Sequence, residues 1–436
     1  MQLSGNLSRN IKTLALLVAI TGVSAPVFAE EPVAGEIVVK GKNEIRRETK
    51  ESRKARASDT AALLTDQPGV ALQSGGGVSS LPVVDGLADD RLSITIDGMS
   101  LVCSCPNHMN PPLSYLDPSQ VAELTVYAGG VSPVSMGGDS IGATIIARSP
   151  APEFAEEGKT IFGGEVGSYY RTNGDARGAN LSLGYATDRL SVSYRSSIAK
   201  SDDYRAGGDF KNYTGTGRTG EALPMDVVGS TAYEAQNHLL SLALKRGDDV
   251  YSAALGYQHV PYELYPNQRM DMLNNQAYRI NLHYTGKRSW GSLDARLYGE
   301  LVDHYMNFGQ DKQLLYTSTV NNVIVTAPGM PMYTKGKTGG ASLKAEVAIS
   351  ERDLLRLGAE AQLYRLDDWW PPSPSVLPAG VTSSGMAPNT FWNISDGRRD
   401  RYAVFNEWEA KWSPEWTSLI GARLELVRSD AGAVQG

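Results

Sequence analysis

From about residue 160 onward, apolar and polar side chains alternate in segments of roughly 10 to 16 residues, the period of a half-buried strand. Eleven segments fit: residues 160–170, 179–187, 189–200, 231–245, 249–259, 277–286, 290–307, 339–348, 353–366, 399–412 and 415–428. The connections between them are short on one side (187–188, 247–249, 286–289) and long on the other (201–230, 308–338, 367–398), the long ones being rich in Gly, Pro, Asn and Thr. Short turns at one end and long loops at the other predict a transmembrane antiparallel β-barrel. In SLDARLYGELVDHYM (residues 292–306) the odd positions are Leu293, Ala295, Leu297, Gly299, Leu301, Asp303 and Tyr305, an apolar face suited to lipid. The even positions, Asp294 to Met306, carry both signs of charge and suit a wet interior, which predicts that His304 and Met306 point inward.

Before residue 150 the pattern is different. Ser58 and Asp59 can cap a short helix over residues 61–65, which Pro68 and Gly69 end. LSITIDGMSL (residues 92–101) alternates and then turns at Asp97-Gly98, a hairpin signal. Pro118 opens a further helical turn that leads into a strand. Residues 58–150 are therefore expected to form an α+β domain, with residues 160–436 a separate β domain. The glycines at 75–77 lack the Lys-Ser/Thr ending of a phosphate-binding loop and are read as tight turns. Residues 30–57 are expected to be an unstructured lead. They hold one β-prone string, Glu36, Ile37, Val38, Val39 and Lys40, ahead of a charge-dense run that suits a solvated linker. A short extended string on a tether can add to the edge of a partner's sheet.

Residues 1–29 read as a secretory signal: Arg9 and Lys12, an apolar run over residues 13–23, then small residues before Glu30. The run is shorter than the ~20 residues a spanning helix needs. The 45 glycines and 21 tyrosines against 7 phenylalanines suit a large exported β structure with aromatic rings at a water boundary. The net charge of −7 argues against nucleic acid as a partner.

Chemistry concentrates in VCSCPNHMNPP (residues 102–112), which holds both cysteines of the chain, one of its five histidines and a methionine. Thiolate and thioether are soft ligands that favour copper, whereas zinc has little use for methionine. Pro106, Pro111 and Pro112 stiffen the loop so that it can present side chains. A bridge between Cys103 and Cys105 is the competing reading, but two thiols so close in sequence would strain it. His108 is either a further ligand or polar surface. Met270 and Met272 could assist metal capture, with loop packing as the plainer role.

The order of segments, with LLTDQPGV (63–70), GLADDRLSITIDG (86–98) and VAELTVYAGGVSPVSMGGDSIGATI (121–145), resembles the TonB-dependent outer-membrane receptors. The resemblance implies a plug over residues 58–150 inside a β-barrel, a TonB box at Glu36 to Lys40, and the TonB energy-coupling complex and outer-membrane lipid as partners. More narrowly, CPNHMNPPLSYLDP is similar to the copper-uptake branch, whose members hold copper with a Cys-x-x-x-Met pair on the plug and a His-x-Met pair on the barrel. The resemblance carries those roles to Cys105 and Met109, and to His304 and Met306, with Cys103 and His108 as additional candidates. The expected function is copper import without enzymatic activity. A receptor for a siderophore, haem or other chelate is the alternative, and a non-transporting adhesin or phage receptor a further one. Such barrels have about 22 strands, and residues 160–436 supply about half that number, so the chain is expected to be part of a longer protein.

Overall fold

In the computed structural model, the described residues are 37–38, 54–128, 132–138, 140–312 and 315–433. The predicted signal at 1–29 and the box residues Glu36, Val39 and Lys40 lie outside them. The N-terminal part contains β1 (Ile37–Val38), β2 (Val70–Ser74), β3 (Ser80–Val84), β4 (Leu92–Ile96), β5 (Met99–Ser100), β6 (Glu123–Ala128) and β7 (Ala143–Arg148). Five of these form one sheet in the order β1-β6-β7-β4-β5, and β2 pairs with β3. The predicted hairpin is β4-β5, and its turn residues Asp97 and Gly98 take φ of 50° and 73°. Both central residues of such a tight turn need positive φ, which glycine and aspartate tolerate. The helical elements are 3-10 turns at Thr60–Leu64, Asp89–Arg91, Pro112–Tyr115 and Pro118–Gln120. Asp59 caps the first by accepting from the Ala61 amide at 3.0 Å. The expected free lead is modified at one point: Ile37–Val38 pairs antiparallel with Val126 and Thr125 at the outer edge of β6.

The remaining chain builds β8 (Ile161–Arg171), β9 (Ala176–Ala186), β10 (Leu190–Ser201), β11 (Tyr233–Arg246), β12 (Asp249–Glu263), β13 (Asp271–Arg288) and β14 (Gly291–Asn307), followed by a hairpin of β15 (Tyr316–Val320) and β16 (Val323–Ala327). It continues through β17 (Met332–Ala348), β18 (Asp353–Trp370), β19 (Phe391–Lys411) and β20 (Thr417–Asp430). Among the described residues, eleven of these strands form one antiparallel sheet from β8 to β20, with β15-β16 apart in a long connection. This is the expected wall of a partial barrel. Several strands run past their predicted ends on the long-loop side: β13 begins at Asp271, β17 at Met332 and β19 at Phe391.

The alternation read from residues 292–306 holds. Leu297 and Leu301 are 57% and 54% exposed on the outer face, while His304 and Met306 are 2% and 0% exposed on the inner one. That inner face packs on the N-terminal part, so one core contains Leu64, Ile96, Leu113, Tyr115 and Ile145 together with Ala277, Tyr298 and Val302 of the wall. Each large apolar side chain buried this way contributes about 1.5–3 kcal/mol. Polar bonds fix the two parts further: the Ser135 amide and hydroxyl donate to Glu407 at 3.2 and 2.7 Å.

Candidate metal centre between loop and wall

The segment from Leu101 to Pro111 has no ladder partners of its own, so its backbone is satisfied by turns and by the wall. The His108 amide donates to the Cys105 carbonyl at 2.9 Å, closing a turn in which His108 takes φ of 53°. Pro112 sits at the start of the 3-10 turn that ends at the buried Tyr115, where a missing N–H costs nothing. The wall then donates to loop carbonyls: Gln362 to Ser100 at 2.6 Å, Tyr364 to Cys103 at 3.2 Å, Tyr265 to Met109 at 3.2 Å and Gln258 to Ser114 at 2.7 Å.

This anchoring gathers the sulfur-bearing side chains into one buried group. Cys103, Cys105 and Met306 are buried in one cluster with Met272, Met332 and Tyr265, and Met109 packs against it. Strand register explains the wall's share: Met272 and Met332 lie opposite Met306 on the neighbouring strands, one on each side. Three thioethers therefore stand abreast on β13, β14 and β17. Both cysteines are free, which sets aside the bridge between them. Burial pushes the Cys103 thiol well up, with the nearby Cys105 adding to it. Burial also raises Cys105, but the backbone amides of Met109 and Asn107 act the other way by favouring its thiolate. The single Cys103 S–H has two acceptors in reach, Asn110 Oδ1 at 3.0 Å and the Cys105 carbonyl at 3.2 Å. Cys105 is thus the better-prepared thiolate of the two.

His304 joins the centre through a relay that fixes its proton. The Cys105 amide can only donate, and it donates to Asn110 Oδ1 at 3.3 Å. That orients Asn110 so that its amide nitrogen donates to Tyr115 at 2.8 Å and to Asn275 Oδ1 at 3.2 Å. Asn275 Oδ1 is then an acceptor, so His304 Nδ1, 3.2 Å away, must carry the proton. In the neutral ring this leaves the lone pair on Nε2, the tautomer a metal-ligating imidazole requires. Nε2 is buried and has no hydrogen-bond partner among the described residues. An acceptor buried without a partner is costly unless something else occupies it.

Among the described residues no three His, Cys, Asp or Glu side chains converge as a metal-binding group. A metal here would therefore depend on thioether sulfur. Of the residues singled out from sequence, Cys105, Met109, Met306 and Cys103 meet in the cluster, and His304 reaches the same loop through Asn275 and Asn110. His108 faces Asp89 and Asp90 at 3.9 Å each, at the surface. Sequence reasoning passed over Met332 and the two asparagines and gave Met272 a packing role. The Met-x-Met pairs at 270–272 and 330–332 were the signal available for the methionines.

Residues 43–144 match the family described as "TonB-dependent Receptor Plug Domain". This segment thus resembles the plug of a TonB-dependent receptor. The chain is similar to "Heme transporter BhuA" of Brucella abortus (strain 2308), at 25% identity over 256 residues, 55% of this chain and 37% of that protein. Among solved structures it is similar to "Copper transporter OprC", with a TM-score of 0.70 and 19% identity over 92% of this chain and 57% of that one. It is likewise similar to an FrpB iron transporter from Neisseria meningitidis (F3-3 variant), with a TM-score of 0.63 and 16% identity over 88% of this chain and 59% of that one. At these identities the structural likenesses establish the plugged-barrel fold, and the chain spans well under two thirds of each relative's length.

Proposed function

We propose that this chain is part of an outer-membrane receptor that imports copper through a plugged barrel, driven by the TonB complex. In this reading residues 58–150 act as the plug, 160–436 as the wall and 30–57 as the tether. Cys105 and Met109 on the plug, with His304 and Met306 on the wall, are the copper ligands. The observation that carries it is the buried sulfur cluster beside an imidazole whose free lone pair has no protein partner. Two parts of the molecule supply the donors, so separating them would halve the ligand set and release the ion. Force applied to the tether would do this, after Ile37–Val38 leaves β6 for a partner's sheet. The cargo undergoes no bond making or breaking, and no enzymatic step is involved.

Metal analysis of the purified protein tests the site. Cys105→Ala and Met306→Ala are each expected to lose most bound copper, and full retention in both would end the assignment. A second reading, import of haem or another metal chelate, is favoured by the relative named as a haem transporter. It predicts saturable haem binding that is unaffected by Cys105→Ala and Met306→Ala. Deleting residues 36–40 separates both from a passive surface role, because uptake would then collapse while adhesion or phage attachment would persist.

A further inference from the structure

The outer face of the wall carries a notch where two glycines meet. In register across four strands lie Ile280, Gly299, Gly339 and Leu363, and the row above reads Tyr278, Leu301, Lys337 and Arg365. With no side chains at its centre, the lower row opens a groove of about 710 Å³. A Cβ added at Gly339 would meet nothing within 4 Å, so the space is open and not filled by a neighbour. The groove walls are apolar and exposed: Leu255, Tyr278, Ile280, Leu301 and Leu363.

Directly above the groove the chemistry reverses. Lys337 is exposed on the same face and has no ion-pair partner among the described residues. Its neighbour Arg365 is held by Asp400 at 2.5 Å, and Lys335 lies 3.8 Å from Asp303. Leu301, beside Lys337, is ten residues above the Gly291 end of β14. At ~3.3 Å per residue and a tilt of about 40° this is ~25 Å, the height of the apolar band of such a wall. The cation therefore stands at the outer interface, with the groove running down into the apolar band. A lone lysine on a lipid-facing surface is unfavourable unless it meets water or an anion.

We propose that this notch binds a phosphorylated membrane lipid, with one acyl chain in the groove at Gly299 and Gly339 and the phosphate paired with Lys337. The proposal rests on reading this face as lipid-facing, a part of the functional reading that does not involve copper. The two short rows supply sites for both halves of such a molecule: an apolar slot below and the Lys337 cation at headgroup height above.

Native mass spectrometry of the detergent-extracted chain tests it, with dioleoyl phosphatidic acid, dioleoylglycerol and inorganic phosphate as probes. The wild type is expected to retain phosphatidic acid in preference to the neutral lipid with the same chains, and excess inorganic phosphate is expected not to displace it. Lys337→Gln is expected to cut that preference about fivefold, the worth of one cation at an anionic surface. Gly339→Leu, which fills the slot, is expected to lower retention of both lipids while keeping the preference. Equal retention of the two lipids by the wild type, or an unchanged preference in Lys337→Gln, would overturn the proposal. So would displacement by inorganic phosphate. Copper retention, read on the same samples, is expected to be unchanged in both variants. A failed copper assignment would leave the lipid pattern intact, and a failed lipid site would leave copper binding intact.

Discussion

Asn110→Asp changes no sulfur and no imidazole, yet it is expected to weaken copper binding, because Asn110 transmits the orientation of the plug loop to His304. The two N–H groups of the native amide have three acceptors in reach, Tyr115 at 2.8 Å, Asn275 at 3.2 Å and Ser104 at 3.3 Å, and its oxygen accepts from the Cys105 amide. A carboxylate keeps the last bond and loses all the donors. The hydroxyls of Tyr115 and Ser104 can rotate to donate instead. Asn275 can adapt only by turning its amide so that nitrogen faces the new carboxylate. It would then present N–H to His304 Nδ1 where it now presents oxygen. The imidazole must answer with a lone pair at Nδ1, which moves its proton to Nε2 and blocks the proposed ligand atom. Outer-shell changes of this kind lower metal affinity about 10- to 100-fold, or roughly 1.4–2.7 kcal/mol. Competition against a chromophoric Cu(I) chelator measures the affinity, and the ¹⁵N shifts of the His304 ring report which nitrogen is protonated. Thermal unfolding of the same variant shows whether the fold survives. A folded variant with copper affinity within about threefold of wild type, well short of the outer-shell range, would refute the relay, as would a proton still on Nδ1.

Met272→Leu and Met332→Leu replace thioethers by side chains of similar volume, so stability should change by less than ~1.5 kcal/mol. Copper affinity should still fall in each if the row of three thioethers shares the ion, as a chelator titration would show. Gly291 has φ of 148°, and a Cβ there would lie 1.8 Å from the Glu346 carbonyl oxygen. Gly291→Ala is therefore expected to destabilise the turn end of β14 by about 1–3 kcal/mol, read by urea unfolding. Burial raises the Asp59 carboxyl to about 6. Between its unfolded value near 4 and that value, the folded state holds a proton that the unfolded state has lost, so stability should fall as pH rises through this window. The full effect is about 3 kcal/mol, two units at 1.36 kcal/mol each, and Asp59→Asn should make unfolding stability measured across the window correspondingly less dependent on pH.

The strand count, the face each strand turns inward and the position of His304 and Met306 on that face were legible in the sequence. They follow from a period of two, imposed residue by residue when one face of a strand is buried and the other is not. The upper ends of the strands were not legible. Past the predicted end of β17 the outward residues mix charge and aromatic rings, as at Lys335 and Tyr333, so polarity no longer marks the strand while the hydrogen-bond ladder continues. Met272 accordingly falls outside the segment that the alternation marks, 277–286, although β13 begins at Asp271. Two of the four helical turns, at Thr60–Leu64 and Pro118–Gln120, match the expected ones, whereas Asp89–Arg91 and Pro112–Tyr115 carried no such signal, and a few residues of pattern do not distinguish 3-10 from α geometry. The loop 102–112 declared its soft donors by composition alone, because two cysteines and a methionine together are rare in a chain with so few. Which of those donors face one another was decided by register and by packing of the plug on the wall. Met272, Met306 and Met332 are distant in sequence and become neighbours only through strand pairing. The proton on His304 depends on Cys105, Asn110 and Asn275, three residues whose alignment exists only once the loop is seated against β13. Local periodicity is a property of consecutive residues. A shared sulfur cluster and a fixed tautomer belong to contacts between segments, which folding alone brings within reach.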